Sequence, residues 1–223
     1  MVDWQALASE VGRDMANNIF DLSSEDLEVR KQALEDLFEI CWHQGTVYER
    51  SYIAIPFLIK RLENETDIDL LEELIRRIYP IGTGTSYHDV HQTLIINRER
   101  KETPEYQAKI AEELEWVDAV TREFNKGIEV YLKLLARESS NIRFEAVCCI
   151  SSCFVKYTIC QLYEHFANET DNDIKSIIPL CLAFFSDKEI ISLTFLEQIL
   201  DTENSEIVKL SASIALAYIR KKN

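Results

Sequence analysis

His88 and His91, with Asp89 between them, are the side chains in this chain whose spacing first suggests a chemical role. Two imidazoles at i and i+3 on a helix can point at one divalent ion. His43 lies far away in sequence and no third ligand follows at a recognisable spacing, so the pair reads as solvated loop histidines that meet a partner, with no metal bound. Cys149 and Cys153 stand one helical turn apart, with Cys148 beside them. A thiolate site would need cationic neighbours or more ligands, and the surroundings here are apolar, so inert buried thiols are expected. Gly82-Thr83-Gly84-Thr85-Ser86 has the glycines of a phosphate cradle but lacks the following lysine and the preceding strand. Its expected role is to end a helix and permit a turn. The pairs Glu72-Glu73 and Glu112-Glu113 are adjacent acids, which point apart on a helix and form a solvated face. Dinucleotide, Walker, zinc-protease and serine-hydrolase patterns do not occur. The expectation is a chain with no catalytic residues and no cofactor.

Composition narrows the partner. The 223 residues hold 24 Lys and Arg against 39 Asp and Glu, a formal charge of −15. Such a chain is a poor binder of nucleic-acid backbones and anionic membranes, and suits a cationic protein. Hydrophobic residues at 47% and charged ones at 28% are globular values that exclude general disorder. Five Gly and four Pro are too few for a turn-rich β architecture, so long helices are expected. Met1-Val2-Asp3-Trp4-Gln5 does not begin a secretory leader, and the most apolar stretch, Ile142 to Cys160, is interrupted by Arg143, Glu145 and Lys156. Cys41, Cys148, Cys149, Cys153, Cys160 and Cys181 all fall within apolar helical pattern, which points to a reducing cytoplasm.

Apolar residues recur at helical spacing almost everywhere, and no stretch alternates as a strand would. Leu27, Leu34, Leu37, Phe38 and Cys41 share one face, opposite Glu28, Gln32, Glu35 and Glu39. Helices are predicted from Tyr48 to Leu62 and from Ile68 to Ile78, with Pro80, Gly82 and Gly84 closing the latter. Ser23, Thr66 and Ser186 each precede an acid by three residues and read as N-caps. Thr103-Pro104-Glu105 reads as cap, first-turn proline and first-turn acid. A turn, a β-branched residue, a basic or polar residue and then a helix recur at Val29-Arg30, Ile68-Asp69, Ile142-Arg143, Ile174-Lys175 and Val208-Lys209. Intervals of roughly 30–45 residues mark stacked helix pairs, and one interval, about twice as long, holds an interruption. That interruption is a loop between residues 80 and 104, containing Tyr87 to His91 and the polar run Asn97 to Glu102. Ala146 to Ile150 and Phe154-Val155 are apolar on several sides, as middle members of a stack should be.

These segments resemble HEAT repeats. Pro56 in Ile55-Pro56-Phe57-Leu58-Ile59 is similar to the first-helix proline of that family. Val29-Arg30-Lys31-Gln32-Ala33 and Ile142-Arg143-Phe144-Glu145-Ala146 are similar to its second-helix opening, as is Val208-Lys209 with lysine for arginine. His43-Gln44-Gly45-Thr46-Val47-Tyr48 followed by Ile55-Pro56, with Trp116 opening a helix that leads to a Gly127 turn, resembles a bacterial HEAT subgroup. Some members of such groups look like immunity proteins of polymorphic toxins.

The expected architecture is therefore an all-α, HEAT-like solenoid of about five or six helix pairs forming one domain over residues 1–223, with the 80–104 insertion. The resemblance implies that the second helices line a concave side, where Glu35, Glu39, Glu72, Glu73 and Arg76 would meet a partner. Tyr48, Tyr87, His88, Asp89 and His91 would add aromatic and polar anchors. The function expected is non-enzymatic protein binding, in its sharpest form a cytoplasmic bacterial immunity protein against a basic toxin. A general adaptor in an enzyme complex, such as a lyase-like HEAT protein, is the alternative.

Overall fold

The computed structural model describes residues 2–94, 99–153, 155, 157–184 and 190–222. Its fold is all-α, with helices stacked in pairs as in a solenoid. Two compact units divide the chain, Met1–Val130 and Tyr131–Asn223. The first holds α1 (Trp4–Val11), α2 (Arg13–Asp21), α3 (Leu27–Cys41), α4 (Ser51–Asn64), α5 (Ile68–Gly82), a five-residue α6 (Tyr87–His91) and α7 (Pro104–Asn125). The short α8 (Ile128–Leu134) runs across the boundary. The second unit continues with α9 (Ser140–Ser152), α10 (Thr158–Asn168), α11 (Asn172–Phe184), α12 (Ile190–Thr202) and α13 (Glu206–Lys222).

Alternate helices carry the stacking. In the first unit α3 packs on α5 and α5 on α7; in the second, α9 packs on α11 and α11 on α13. The amphipathic spacing explains the order. α5 buries Leu70, Leu71, Leu74, Ile75, Ile78 and Ile81, each contributing about 1.5–3 kcal/mol through removal from water. No such stripe is satisfied by a single pair, so each second helix needs the next.

A repeated ion pair fixes consecutive pairs in register. Glu65, in the turn between α4 and α5, accepts the Thr66 and Asp67 amides at 2.8 and 2.9 Å through Oε1. Its Oε2 accepts Arg30 Nε of α3 at 3.1 Å. Arg30 in turn donates to the Ser24 and Glu25 carbonyls, tying down the turn before its own helix. The same arrangement recurs in the second unit. Glu169 accepts the Thr170 and Asp171 amides, both at 2.9 Å, and Arg143 Nε at 2.7 Å, while Arg143 reaches the Arg137 and Glu138 carbonyls. Lys175 and Glu203 form a third rung at 2.5 Å. Arg30, Arg143 and Lys175, each following a β-branched residue, are thus inter-repeat ties, and Asn64-Glu65-Thr66-Asp67 and Asn168-Glu169-Thr170-Asp171 carry the acidic half of the first two.

Several local expectations need correction. α3 is capped by Asp26 and α5 by Asp67, whose carboxylates accept the Glu28 and Leu70 amides; Ser23 and Thr66 do not cap. Glu65 accepts the Thr66 and Asp67 amides, and the cap falls on Asp67, one residue on. Thr103 does cap α7, with Pro104 in its first turn. Trp116 lies in the middle of α7 and opens no helix. Pro80 and Gly82 lie inside α5, which ends at Gly82. A two-stranded antiparallel hairpin, β1 (Trp42–His43) with β2 (Thr46–Val47), occupies the turn where no strand was predicted. The 80–104 loop contains α6. Ser186, Phe154, Lys156, Asn97 and Arg98 lie outside the described residues.

Candidate functional site

The first unit builds a hollow around the hairpin. Gln44 and Gly45 both have positive φ, 49° and 92°, the backbone of a two-residue hairpin turn whose twist suits the flanking strands. The hairpin is bonded to the chain just after α5: Val47 N donates to Thr85 O at 3.1 Å and Thr85 N to Gly45 O at 2.9 Å. Two glycines make this approach feasible. A Cβ on Gly84 would sit 2.4 Å from Val47 Cγ1, and one on Gly82 would sit 2.1 Å from Phe124 Cδ2 of α7. The glycines of this segment therefore serve close packing of backbone against neighbours.

α6 hangs on a buried carboxylate. Ser86 caps it, accepting the Asp89 amide at 3.1 Å, and donates its own hydroxyl to Glu113 Oε2 at 2.7 Å. Glu113 also accepts the His88 amide at 2.8 Å and faces His88 Nδ1 at 2.6 Å. An acceptor-only carboxylate requires His88 Nδ1 to carry the proton, and the Tyr87 carbonyl at 2.7 Å requires the same of His91 Nδ1. The Tyr106 hydroxyl donates to His88 O at 3.1 Å, and the Tyr87 and His91 rings stack at 4.3 Å. Burial pushes the Glu113 carboxyl up, but the bonds from the His88 amide, the Ser86 hydroxyl and the His88 ring outweigh it and hold the group below the usual carboxylate range. Glu113 is thus a fixed anion.

Beside this carboxylate opens a cleft of about 400 Å³, lined by His43, Gln44, Thr46, Val47, Tyr48, Tyr87, His91, Glu113 and Trp116. A second hollow of about 440 Å³ shares Tyr48 and Trp116 with it and adds Val11, Met15, Ile40 and Arg50. Both fall within the range of ligand-sized pockets. The electrostatics of the first are unusual for this chain. Glu65, Glu169 and Glu203 are each matched by an Arg or Lys. Glu113, 9% exposed, has only the His88 imidazole as ionic partner among the described residues. Imidazole carries a charge only when protonated, so among the described residues this anion has no permanent countercharge.

The structure sorts the residues singled out from sequence. Tyr48, Tyr87 and His91 come together in the cleft, and His88 stands behind it on Glu113. Asp89 accepts Gln92 Nε2 at 3.0 Å on α6. His88 and His91 are half-buried on a short helix and held through Nδ1; they are not solvated loop side chains. Among the described residues no three His, Cys, Asp or Glu side chains converge on a metal position. Glu35 and Glu73 are engaged by Arg77, and Glu73 also by Arg76, with the Arg77 guanidinium 4.8 Å above the Phe38 ring. Glu72 is half-buried and Glu39 exposed. Glu113, Ser86, Trp116 and His43 were not among the expected site residues. For Glu113 the expectation of a solvated acid is wrong, because its face of α7 packs against α6. The one legible signal was Ser86 three residues ahead of Asp89, a cap without an obvious helix.

The buried thiols offer no nucleophile. Cys41, Cys149 and Cys153 are buried, and burial pushes Cys41, Cys148 and Cys153 up to about 12. Cys160 departs from the expectation of core thiols: it is exposed on α10.

No family model matches the chain, and no curated protein matches it. Among solved structures it is similar to an engineered protein, 17% identical over 94% of this chain and 99% of the other, with a TM-score of 0.45. It is also similar to a designed armadillo repeat protein, 16% identical over 91% of this chain and 98% of the other, with a TM-score of 0.40. Among the described residues no helix is long and apolar enough to cross a membrane.

Proposed function

We propose that this chain is a non-catalytic protein-binding module, and that the first unit's cleft receives a cationic side chain of its partner. The observation that carries the reading is Glu113, a nearly buried anion with no Arg or Lys partner among the described residues, set in a wall shared with Tyr48, Tyr87 and Trp116. A guanidinium entering there would meet aromatic faces, which attract cations, and would supply the missing charge. The formal charge of −15 draws such a partner in from a distance. A carboxyl held below its usual range is a weak base at neutral pH, and the buried thiols are weak nucleophiles, which supports binding over catalysis.

The sharper form is a bacterial immunity protein that neutralises a basic toxin. Its support is the acidity of the chain and the resemblance of the His43–Tyr48 and Pro56 segments. A toxin gene beside this one, and rescue of growth on co-expression, would bear it out; its absence would leave the cleft reading standing.

The cleft itself is tested with small probes. The chain has three tryptophans, and replacing Trp4 and Trp42 with Phe leaves Trp116 as the reporter. N-acetyl-arginine amide should perturb its fluorescence saturably, while the neutral isostere N-acetyl-citrulline amide should not, and Glu113→Gln should weaken the arginine response about tenfold. Equal responses to the two amides, or none to either, would refute the assignment.

A further inference from the structure

The last helix of the second unit carries an apolar stripe on the side away from its core. α13 buries Val208, Ala212, Ala215, Leu216 and Ile219, yet Ile207, Leu210 and Ile214 are 47%, 60% and 51% exposed, and Ala217 is exposed beside them. Their spacing alternates three and four residues, the pattern of a helix-to-helix seam, and scattered surface apolar residues do not fall in that way.

The repeat register shows what this face is. Ile142, Ile174 and Val208 hold the same place in α9, α11 and α13, and each is fully or almost fully buried. Counting from them, Leu210, Ile214 and Ala217 correspond to Ser176, Leu180 and Ala183 of α11, and to Phe144, Cys148 and Ser151 of α9. In α9 and α11 these positions are buried or half-buried, and each helix packs on the next in the series. The Ser151 hydroxyl bears on the Cys181 thiol, which places this face of α9 against α11. α13 therefore presents the same stacking face with no following helix on it among the described residues.

The charges at its ends select the occupant. Glu206 is exposed at the start of α13, and Arg220 and Lys221 are exposed at its end, Arg220 reaching Glu197 at 2.8 Å. A parallel copy would set Glu206 against Glu206 and Lys221 against Lys221. An antiparallel copy sets each Glu206 beside the other's Lys221 and brings the two Ile214 side chains together at the axis.

We infer that α13 is a self-association face, on which two copies of this chain pair antiparallel about a two-fold axis near Ile214. A two-fold contact is self-complementary, as a face with one acidic and one basic end requires. One helix face per copy is smaller than the roughly 1,200–2,000 Å² of stable interfaces, so the dimer is weak, with a dissociation constant of about 10–100 μM. Each copy carries −15, so added salt strengthens the dimer by screening the repulsion between copies.

Sedimentation equilibrium of the full chain across that concentration range should show a monomer–dimer equilibrium, weakened about tenfold or more by Leu210→Glu, with circular dichroism confirming that the variant is folded. Cysteine pairing tests the geometry in a Cys160→Ser background: Ile214→Cys should oxidise to a dimer, whereas Ile207→Cys should not, because the antiparallel arrangement holds the two positions apart. A chain that stays monomeric, a dimer indifferent to Leu210→Glu, or cross-linking through Ile207→Cys would each overturn the inference.

Discussion

Replacing Glu169 with Gln tests whether the inter-repeat ladder holds the second unit together. The carboxylate is 2% exposed and accepts two Arg143 bonds and two backbone amides, with His165 Nε2 at 3.2 Å. Burial raises its pKa, but the Arg143 side chain and the Asp171 and Thr170 amides more than reverse this, lowering it from 4.5 to about 2. A folded-state pKa below the unfolded one stabilises the fold above the unfolded value and loses that contribution as pH falls through the folded one. At 1.36 kcal/mol per pKa unit the ionised group contributes about 3 kcal/mol at neutral pH, of which about 2 kcal/mol is gone by pH 3. Glu169→Gln keeps the shape, removes the charge and leaves Arg143 uncompensated, a loss of about 3 kcal/mol. Urea unfolding of wild type and variant should therefore differ by about 3 kcal/mol at pH 7 and by about 1 kcal/mol at pH 3. Taking the difference at each pH removes the other carboxylates, which titrate in both proteins. A gap below 1 kcal/mol at pH 7, or one that does not shrink with acid, would refute the reasoning.

Three further outcomes follow from particular contacts. Gly82→Ala should destabilise the first unit by about 2–3 kcal/mol in thermal unfolding, because the added methyl meets the buried Phe124 ring. Arg77→Ala should cost about 1–2 kcal/mol through the loss of Glu35, Glu73 and the Phe38 face, measured by urea unfolding. Titration of the native chain with a thiol reagent should show Cys160 reacting first, with Cys41, Cys149 and Cys153 reacting only after unfolding.

How far the sequence could be read depends on the range of the interaction. Helical periodicity is a local property: it put Leu34, Leu37 and Cys41 on the face that α3 buries, and the helix predicted from Ile68 to Ile78 lies within α5. The Arg30 and Arg143 positions were visible as repeat markers, but their purpose was hidden because Glu65 and Glu169 lie in the next helix pair. Gly82 was read as a helix terminator, since nothing nearby reveals that Phe124 will press against it from α7. Glu113 was read as a surface acid because it stands next to Glu112, and adjacent acids usually form a solvated face; the docking of α6 makes that turn interior. Tyr48, Tyr87 and His91 were recognisable as anchors, while Trp116, which joins them from α7, was not.

The location of a bound cation tests the central claim most directly. Two-dimensional NMR of the labelled full chain, titrated with a short arginine-containing peptide, distinguishes a built cleft from diffuse attraction to an acidic surface. Saturable shifts should gather at the Trp116 indole and the Tyr48, Tyr87 and Glu113 backbone signals, and vanish when the arginine is replaced by citrulline. Shifts spread evenly over exposed acids such as Glu39 and Glu206, with Trp116 unmoved, would contradict the account.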